Sequence, residues 1–252
     1  MNKERLVNIS IIIIGFNTIN SLKKLLLSIN NQKVNPKHGI SCVYVDDCST
    51  DNSFEFFKNY KLKFKKKYFR FTKNSGRVVA TQKGIDLAND DWFLFVRSNV
   101  SLHQSAIQEF IFSISKYNAI AFMGNIQYRS KDLSFQKYLN HKKRGTNVYQ
   151  NHQKIHFKHL LFGNSIIHSH VFNKISLNKK LSHYGGEEID FAKNVLKLGE
   201  LRFCKRSKAF RNNHPSFVAH TKRLIKMGQF NLQHLSADNQ KTILGLCYYF
   251  KK

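Results

Sequence analysis

Three acids stand within six positions of the segment VYVDDCSTDNS, residues 43–53, in a chain that holds only 15 acids against 42 Lys and Arg. Asp46 and Asp47 follow three β-favouring residues, and Asp51 and Ser53 follow shortly after. Asp51 and Ser53 fit a helix start, where side-chain oxygens accept from the orphan N–H groups of the first turn. Adjacent like charges at a strand end have no such structural use. They suit a site that reads hydrogen-bond donors. A second acidic group occurs in HYGGEEIDFAKNVLKLG, where two glycines lead into a helix whose first turn holds Glu187, Glu188 and Asp190. Acids there complement the helix dipole. Consecutive glutamates point to different helix faces, so one of them is expected to face a cleft.

The elements that must position these groups follow from periodicity. Strands are predicted at Val7–Gly15, Ile40–Val45, Tyr68–Thr72, Trp92–Val96 and Ala119–Ile126, with a strand or hairpin arm over Phe203–Phe210. Helices are predicted around Leu22, Leu25, Leu26 and Ile29, around Phe54 and Phe57, over Arg77–Ala88, and around Ile107, Phe110, Ile111 and Ile114. Strands alternating with helices give an α/β fold, a mainly parallel sheet covered on both faces. In such sheets ligands bind at the carboxyl ends of the strands. Phe16-Asn17, Asp46-Asp47, Asn74-Ser75-Gly76-Arg77 and Arg97-Ser98-Asn99 all fall there. The second half, with Lys131–Lys158 basic and rich in histidine, reads as less regular.

Length, two prolines and twelve glycines fit one domain over 1–252, with a first half at 1–126 and a second at 127–252 ending in a helical tail. The apolar run Ile11–Ile14 is too short to span a bilayer, and the N-terminus is not expected to be a signal peptide. Cys42, Cys48, Cys204 and Cys247 form no C-x-x-C pair, which suits a reducing, cytoplasmic setting. The net charge of +27 attracts polyanions: nucleic acid, anionic lipid or phosphorylated small molecules. Abundant Lys, Asn, Ile and Phe also fit an AT-rich coding bias. The histidines His152, His156, His159, His168 and His170 lack the carboxylates or cysteines of a zinc arrangement.

Taken together, these motifs resemble the family-2 glycosyltransferases of GT-A fold. VNISIIIIGFN is similar to the family's opening strand, with Gly15 where proline is usual. VYVDDCSTDNS resembles the nucleotide-gripping DD-x-S-x-D segment, and KNSGRVVATQKGI the N-x-G-x-x-x-A-x-N-x-G stretch. FGNSIIHSHVF and YGGEEIDFAKNVLKLG resemble the acceptor-side G-N and G-x-E-D elements. The likeness spans roughly Val7–Gly199. It implies transfer of a sugar, with inversion, from a nucleotide-diphosphate donor to a glycan or lipid-linked acceptor hydroxyl.

The resemblance assigns donor binding to Phe16, Asn17, Asp46, Asp47, Gly76, Arg77, Arg97, Ser98 and Asn99. It implies Glu188 as the base that takes the acceptor proton in inverting transfer, with Glu187 beside it, and Asn164 and Asp190 toward the acceptor. The family's D-x-D pair, which binds Mn²⁺ or Mg²⁺, is replaced here by Arg97-Ser98-Asn99. Of those three residues Asn99 offers an oxygen to an ion, and His214 is the second candidate ligand. The alternative is metal-independent binding, in which Arg97 supplies the positive charge itself. A second reading is a catalytically inactive glycosyltransferase-like binding or scaffold protein. A third is a basic nucleic-acid-binding protein, opposed by the absence of a known module and by the acids gathered at one pocket. The C-terminal ILGLCYYFKK, with aromatics beside lysines, suggests peripheral contact with an anionic membrane at its inner face.

Overall fold

The computed structural model describes residues 6–181 and 185–245. The strand β1 (Asn8–Gly15) runs between two parallel neighbours, β2 (Gly39–Asp46) and β4 (Trp92–Arg97). Its continuous apolar run is explained by cover on both faces. Ile9, Ile11 and Ile13 pack with α1 (Ile19–Asn30) and α4 (Ala106–Lys116). Ile12 points the other way, toward Val78 and Ile85 of α3 (Arg77–Leu87). The remaining strands are β3 (Lys65–Arg70), β5 (Val100–Leu102), β6 (Ala121–Ser130), β7 (Asn164–His168) and β8 (Leu201–His214). All eight form one sheet in the order β3-β2-β1-β4-β7-β6-β8-β5. Four pairings are parallel, and β7 with β4 and β6, and β5 with β8, are antiparallel. Strands from both halves of the chain therefore share a single sheet.

Several boundaries differ from the sequence reading. β3 begins at Lys65 and ends at Arg70, earlier than Tyr68–Thr72, because its register on β2 runs from Ser41↔Lys65 to Asp46↔Arg70. Lys65, Lys66 and Lys67 make it a polar edge strand, a usual defence against edge-to-edge pairing. Lys66 Nζ also ties the end of α2 (Ser53–Asn59), donating to the carbonyls of Lys58 and Tyr60 at 2.7 Å each. β8 extends to His214 rather than Phe210, and pairs with β6 and then with β5. β5 and β7 are too short to show periodicity. Asp51 serves two helices: Oδ2 accepts from Ile19 N at the start of α1 (2.9 Å) and Oδ1 from Ser53 N of α2 (3.1 Å).

The C-terminal part carries α5 (Leu133–Leu139), α6 (Glu187–Leu196), α7 (Phe217–Phe230) and α8 (Ala237–Leu244). Most of ILGLCYYFKK, including Cys247, lies outside the described residues. No helix among the described residues is long and apolar enough to cross a membrane.

Two acceptor-side expectations are corrected here. Asn164 is fully buried, and its Nδ2 donates to Ser207 O (2.9 Å) and Asn125 O (3.4 Å). These carbonyls flank the bulge where β6 slips against β8, between Gly124 and Asn125. The amide lies where a Cβ on Gly124 would stand. Asn164 therefore closes an irregularity in the sheet. Asp190 accepts from Asn239 Nδ2 (2.9 Å) and joins α6 to α8, with burial pushing its carboxyl above the usual range. Replacing Asn164→Ala leaves two carbonyls short of a partner. The expected cost is about 1–3 kcal/mol in chemical denaturation, with nucleotide-diphosphate binding unchanged. Full stability with lost binding or turnover would return Asn164 to a site.

Candidate active site

Register explains why the sequence-distant loops meet. Gly15 pairs with Asp46, and Ile14 with Arg97, so β1, β2 and β4 end at one level. Beyond those ends lies a cavity of about 480 Å³. Phe16, Asp47, Asn74, Gly76, Arg77, Arg97, Ser98 and Asn99 are all on its wall. Its floor is apolar, with Ile12, Ile14, Phe95 and Phe162, and the last two rings stack at 4.5 Å.

The adjacent aspartates divide their work. Asp46 is wholly buried and away from the cavity wall. It accepts from Ser49 N (2.8 Å) and Tyr44 Oη (3.1 Å) and lies 3.5 Å from Arg70 Nε. The assignment of Asp46 to donor contact is thus corrected, since its carboxylate braces the loop from within. Asn17 is corrected likewise. With φ of 52°, it turns its side chain to Thr50 N (2.8 Å) and stays off the wall. Asp47 remains at the cavity. Its two oxygens accept from Ser75 N (2.7 Å) and Gly76 N (3.0 Å), which fixes the loop entering α3. Each carboxylate oxygen keeps a further lone pair toward the cavity. Gly76 has φ of 85°, a conformation that favours glycine.

Four arginines line the cavity: Arg77, Arg97, Arg211 and Arg223. Arg77 forms an ion pair with Glu187, and Arg97 with Glu188. Both glutamates, not one, turn inward from the first turn of α6, which starts after Gly186 at φ 93°. They stand behind the arginines and are not on the cavity wall. Glu188 Oε1 also accepts from Phe162 N (3.0 Å). Burial pushes the Glu187 carboxyl up, beyond what Arg77 recovers. Burial acts on Glu188 in the same sense, but Arg97 and then Arg77 outweigh it and hold that carboxyl below the usual range.

The donor set does not fit a divalent cation. Mn²⁺ and Mg²⁺ want carboxylate oxygens, and Arg97-Ser98-Asn99 offers a guanidinium at that place. Asn99 uses its backbone carbonyl for Asn212 N (3.2 Å). His214, the other candidate ligand, is corrected. Its ring is packed among Tyr128 (5.2 Å), Phe135 (5.5 Å) and His220 (5.6 Å), away from the cavity wall. Burial and then Arg211 push it down to about 4. Among the described residues no three His, Cys, Asp or Glu side chains group to hold an ion. The histidines at 152–170 are spread: His168 meets His170 (2.7 Å), while His152 meets Ser113 (3.0 Å).

Arg211 and Arg223 were missed by the sequence reading. Arg211 reaches the cavity because β8 pairs antiparallel with β5, setting Val100 against Arg211 just past Asn99. A three-residue strand gives no periodic signal, so that neighbour was invisible. Arg223 comes from α7, one cation in a basic chain with nothing local to mark it.

The glycosyl transferase family 2 profile matches residues 10–176. The structure superposes on S. aureus TarS 1–349 in complex with UDP at a TM-score of 0.71 and 16% identity, covering 97% of this chain and 72% of that one. TarS 1–349 in complex with UDP-GlcNAc gives a TM-score of 0.70 at 14% identity, with 96% and 72% covered. GalNAc-T7 with UDP, GalNAc and Mn²⁺ gives 0.65 at 14% identity, with 96% of this chain and 48% of that chain covered. No curated protein matches. The cavity at the ends of β1, β2 and β4, the family-2 profile over two-thirds of the chain and the shared GT-A architecture lead to one conclusion: the chain belongs to glycosyl transferase family 2.

Proposed function

We propose that the chain transfers a sugar from a nucleotide-diphosphate donor to a hydroxyl of a glycan or lipid-linked acceptor, with inversion and without a metal ion. The observation that carries this reading is the replacement of the acidic metal-binding pair by Arg97 in a cavity that also holds Arg77, Arg211 and Arg223. A diphosphate cannot leave water without counter-charge. Guanidinium groups pair bidentately with phosphate and stay charged at every working pH. Uridine is the base favoured for first trial, because the TarS neighbour binds UDP. Family analogy also favours a cell-envelope polysaccharide as product.

In this reading Asp47 and Gly76 meet the nucleoside, and the arginines hold the diphosphate. Glu188 takes the acceptor hydroxyl proton as that oxygen bonds to the sugar's anomeric carbon. The bond from that carbon to the diphosphate oxygen breaks, and its electron pair leaves with the nucleoside diphosphate, where arginine charge stabilises it. Glu188 must first be released by Arg97. Phosphate oxygens are the natural competitors for that guanidinium, so donor binding and base release belong together. The tie between Glu188 and Arg97 also supports the second reading, a nucleotide-sugar-binding protein without turnover.

UDP is expected to raise the thermal midpoint equally with Mn²⁺ and with EDTA, by mass action on the native state. Arg97→Asp combined with Asn99→Asp is expected to make that stabilisation Mn²⁺-dependent. A requirement for Mn²⁺ in the wild type would overturn the metal-free reading. Glu188→Gln is expected to lower kcat by about 10²–10⁴-fold while UDP stabilisation persists. Unchanged turnover in this variant would dismiss Glu188 as the base, and absent turnover in the wild type with intact UDP binding would favour the second reading.

The pH profile follows from the same contact. A base works only when deprotonated, so activity falls as pH drops through its pKa. In the free enzyme Arg97 holds Glu188 low, which sets the acid limb of kcat/KM. In the ternary complex the diphosphate shares Arg97, so the acid limb of kcat is expected at higher pH. Coincident limbs would mean that Arg97 stays with Glu188 throughout.

A further inference from the structure

The helix α7 is held to the body lightly. Met227 is its one buried residue, resting against Gly185. Phe217, Val218, Leu224 and Ile225 are 42–62% exposed, and the spacing i, i+1, i+7, i+8 sets them on one stripe. Lys222 and Lys226 flank that stripe and are also exposed. At its start α7 meets α5: Asp132, the cap of α5, accepts from Phe217 N (3.1 Å), and the Phe135 ring lies 5.5 Å from both Phe217 and His220. α5 adds Leu133 and Tyr138, 66% and 58% exposed. Half of the fourteen large hydrophobic side chains exposed among the described residues thus lie on these two helices. Charge is concentrated in the same place. Residues 129–148 and 217–230 hold nine Lys and Arg against one acid, Asp132, which is committed to capping.

We propose that the α5–α7 face docks on an anionic lipid bilayer, with the α7 stripe at the acyl boundary and the lysines at the headgroups. Charge complementarity selects this occupant. A second copy would bring nine further cations against the same face, and like charges oppose it. Nucleic acid would meet the lysines, and Phe217 and Tyr138 could stack on bases, but Val218, Leu224 and Ile225 carry most of the α7 stripe and suit acyl chains rather than bases. An apolar stripe flanked by lysines on one helix is the pattern of an interfacial helix. Arg223 of the same helix lines the cavity. Arg223 faces away from the stripe, so docking would hold the cavity one helix diameter, ~10 Å, from the bilayer that carries a lipid-linked hydroxyl, a consequence that rests on the glycosyltransferase reading, whereas the docking itself does not.

The test is cosedimentation of the full chain with vesicles of phosphatidylcholine alone or mixed with phosphatidylglycerol, beside a UDP thermal-shift assay on the same samples. Binding to the anionic vesicles, reduced by salt, is expected. Lys222→Glu with Lys226→Glu, and separately Val218→Glu with Ile225→Glu, should each weaken partitioning by about 10-fold or more while UDP stabilisation is kept. For a readout that needs no loss of function, Ile225→Trp supplies a reporter, because the chain's one tryptophan, Trp92, is 4% exposed. Its emission should shift to the blue on anionic vesicles and be quenched by brominated acyl chains. Binding to neither vesicle, or binding untouched by both double variants with no change in the reporter, overturns the proposal. So does a dimer in solution that the Val218→Glu, Ile225→Glu variant dissolves, or oligonucleotide binding that outcompetes the vesicles. Loss of vesicle binding with intact UDP response leaves the glycosyltransferase reading standing. Vesicle binding without any UDP response does the reverse.

Discussion

Two ion pairs, one on the buried Glu187 and one on the part-buried Glu188, hold the site together, and each joins one half of the chain to the other. Arg77 opens α3 and Arg97 closes β4, whereas Glu187 and Glu188 both come from the start of α6. A carboxylate as buried as Glu187, 3% exposed, is tolerated only with its partner in place. Removing one partner of such a pair costs on the order of 3–5 kcal/mol. The position of α6 is therefore fixed by charge as much as by its apolar face, on which Phe191 packs against Phe162 and Phe172. That aromatic contact reaches the cavity floor, because Phe162 stacks in turn on Phe95 of β4.

The first half of the molecule was largely legible in its sequence. Buried parallel strands are written as continuous β-branched runs, and each ends where a glycine or a charged residue interrupts the run. The loop residues that converge at the cavity could be named from strand ends alone, since parallel strands of equal register must finish at one edge. What could not be read was the direction of side chains within those loops. Asp46 and Asp47 are neighbours of one type, yet the first turns under the loop to Ser49 and Tyr44 and the second reaches forward to Ser75 and Gly76. Only the tertiary position of the α3 loop decides between them.

The second half resisted for a different reason. Of its strands, β7 is antiparallel to both neighbours and β8 bulges against β6, and its motif residues turn to partners inside the fold. Asn164 stands in a G-N element and serves a sheet bulge; Asp190 stands in the acidic turn and serves α8. His214 ends the long strand β8 and is enclosed by aromatic rings rather than facing phosphate. In each case a polar side chain met backbone or side-chain partners close by. Burial makes those partners obligatory, and local sequence does not identify them.

Exchanging an acid for Arg97 at the end of β4 changes more than the sign of one charge. An acidic pair there would repel Glu187 and Glu188, and a metal ion would have to stand between them. With arginine in that place, Arg97 pairs with Glu188 as Arg77 does with Glu187. The consequence is a competition. The guanidinium that best suits a diphosphate is also the one that keeps Glu188 ionised and occupied. In the proposed reaction, a ligand with enough negative charge to draw Arg97 away would leave Glu188 with less compensation for its burial and so raise its basicity where a proton is to be taken. On the proposed reading, the same electrostatics that join α6 to β4 would make the acid–base chemistry of the site depend on the donor being present.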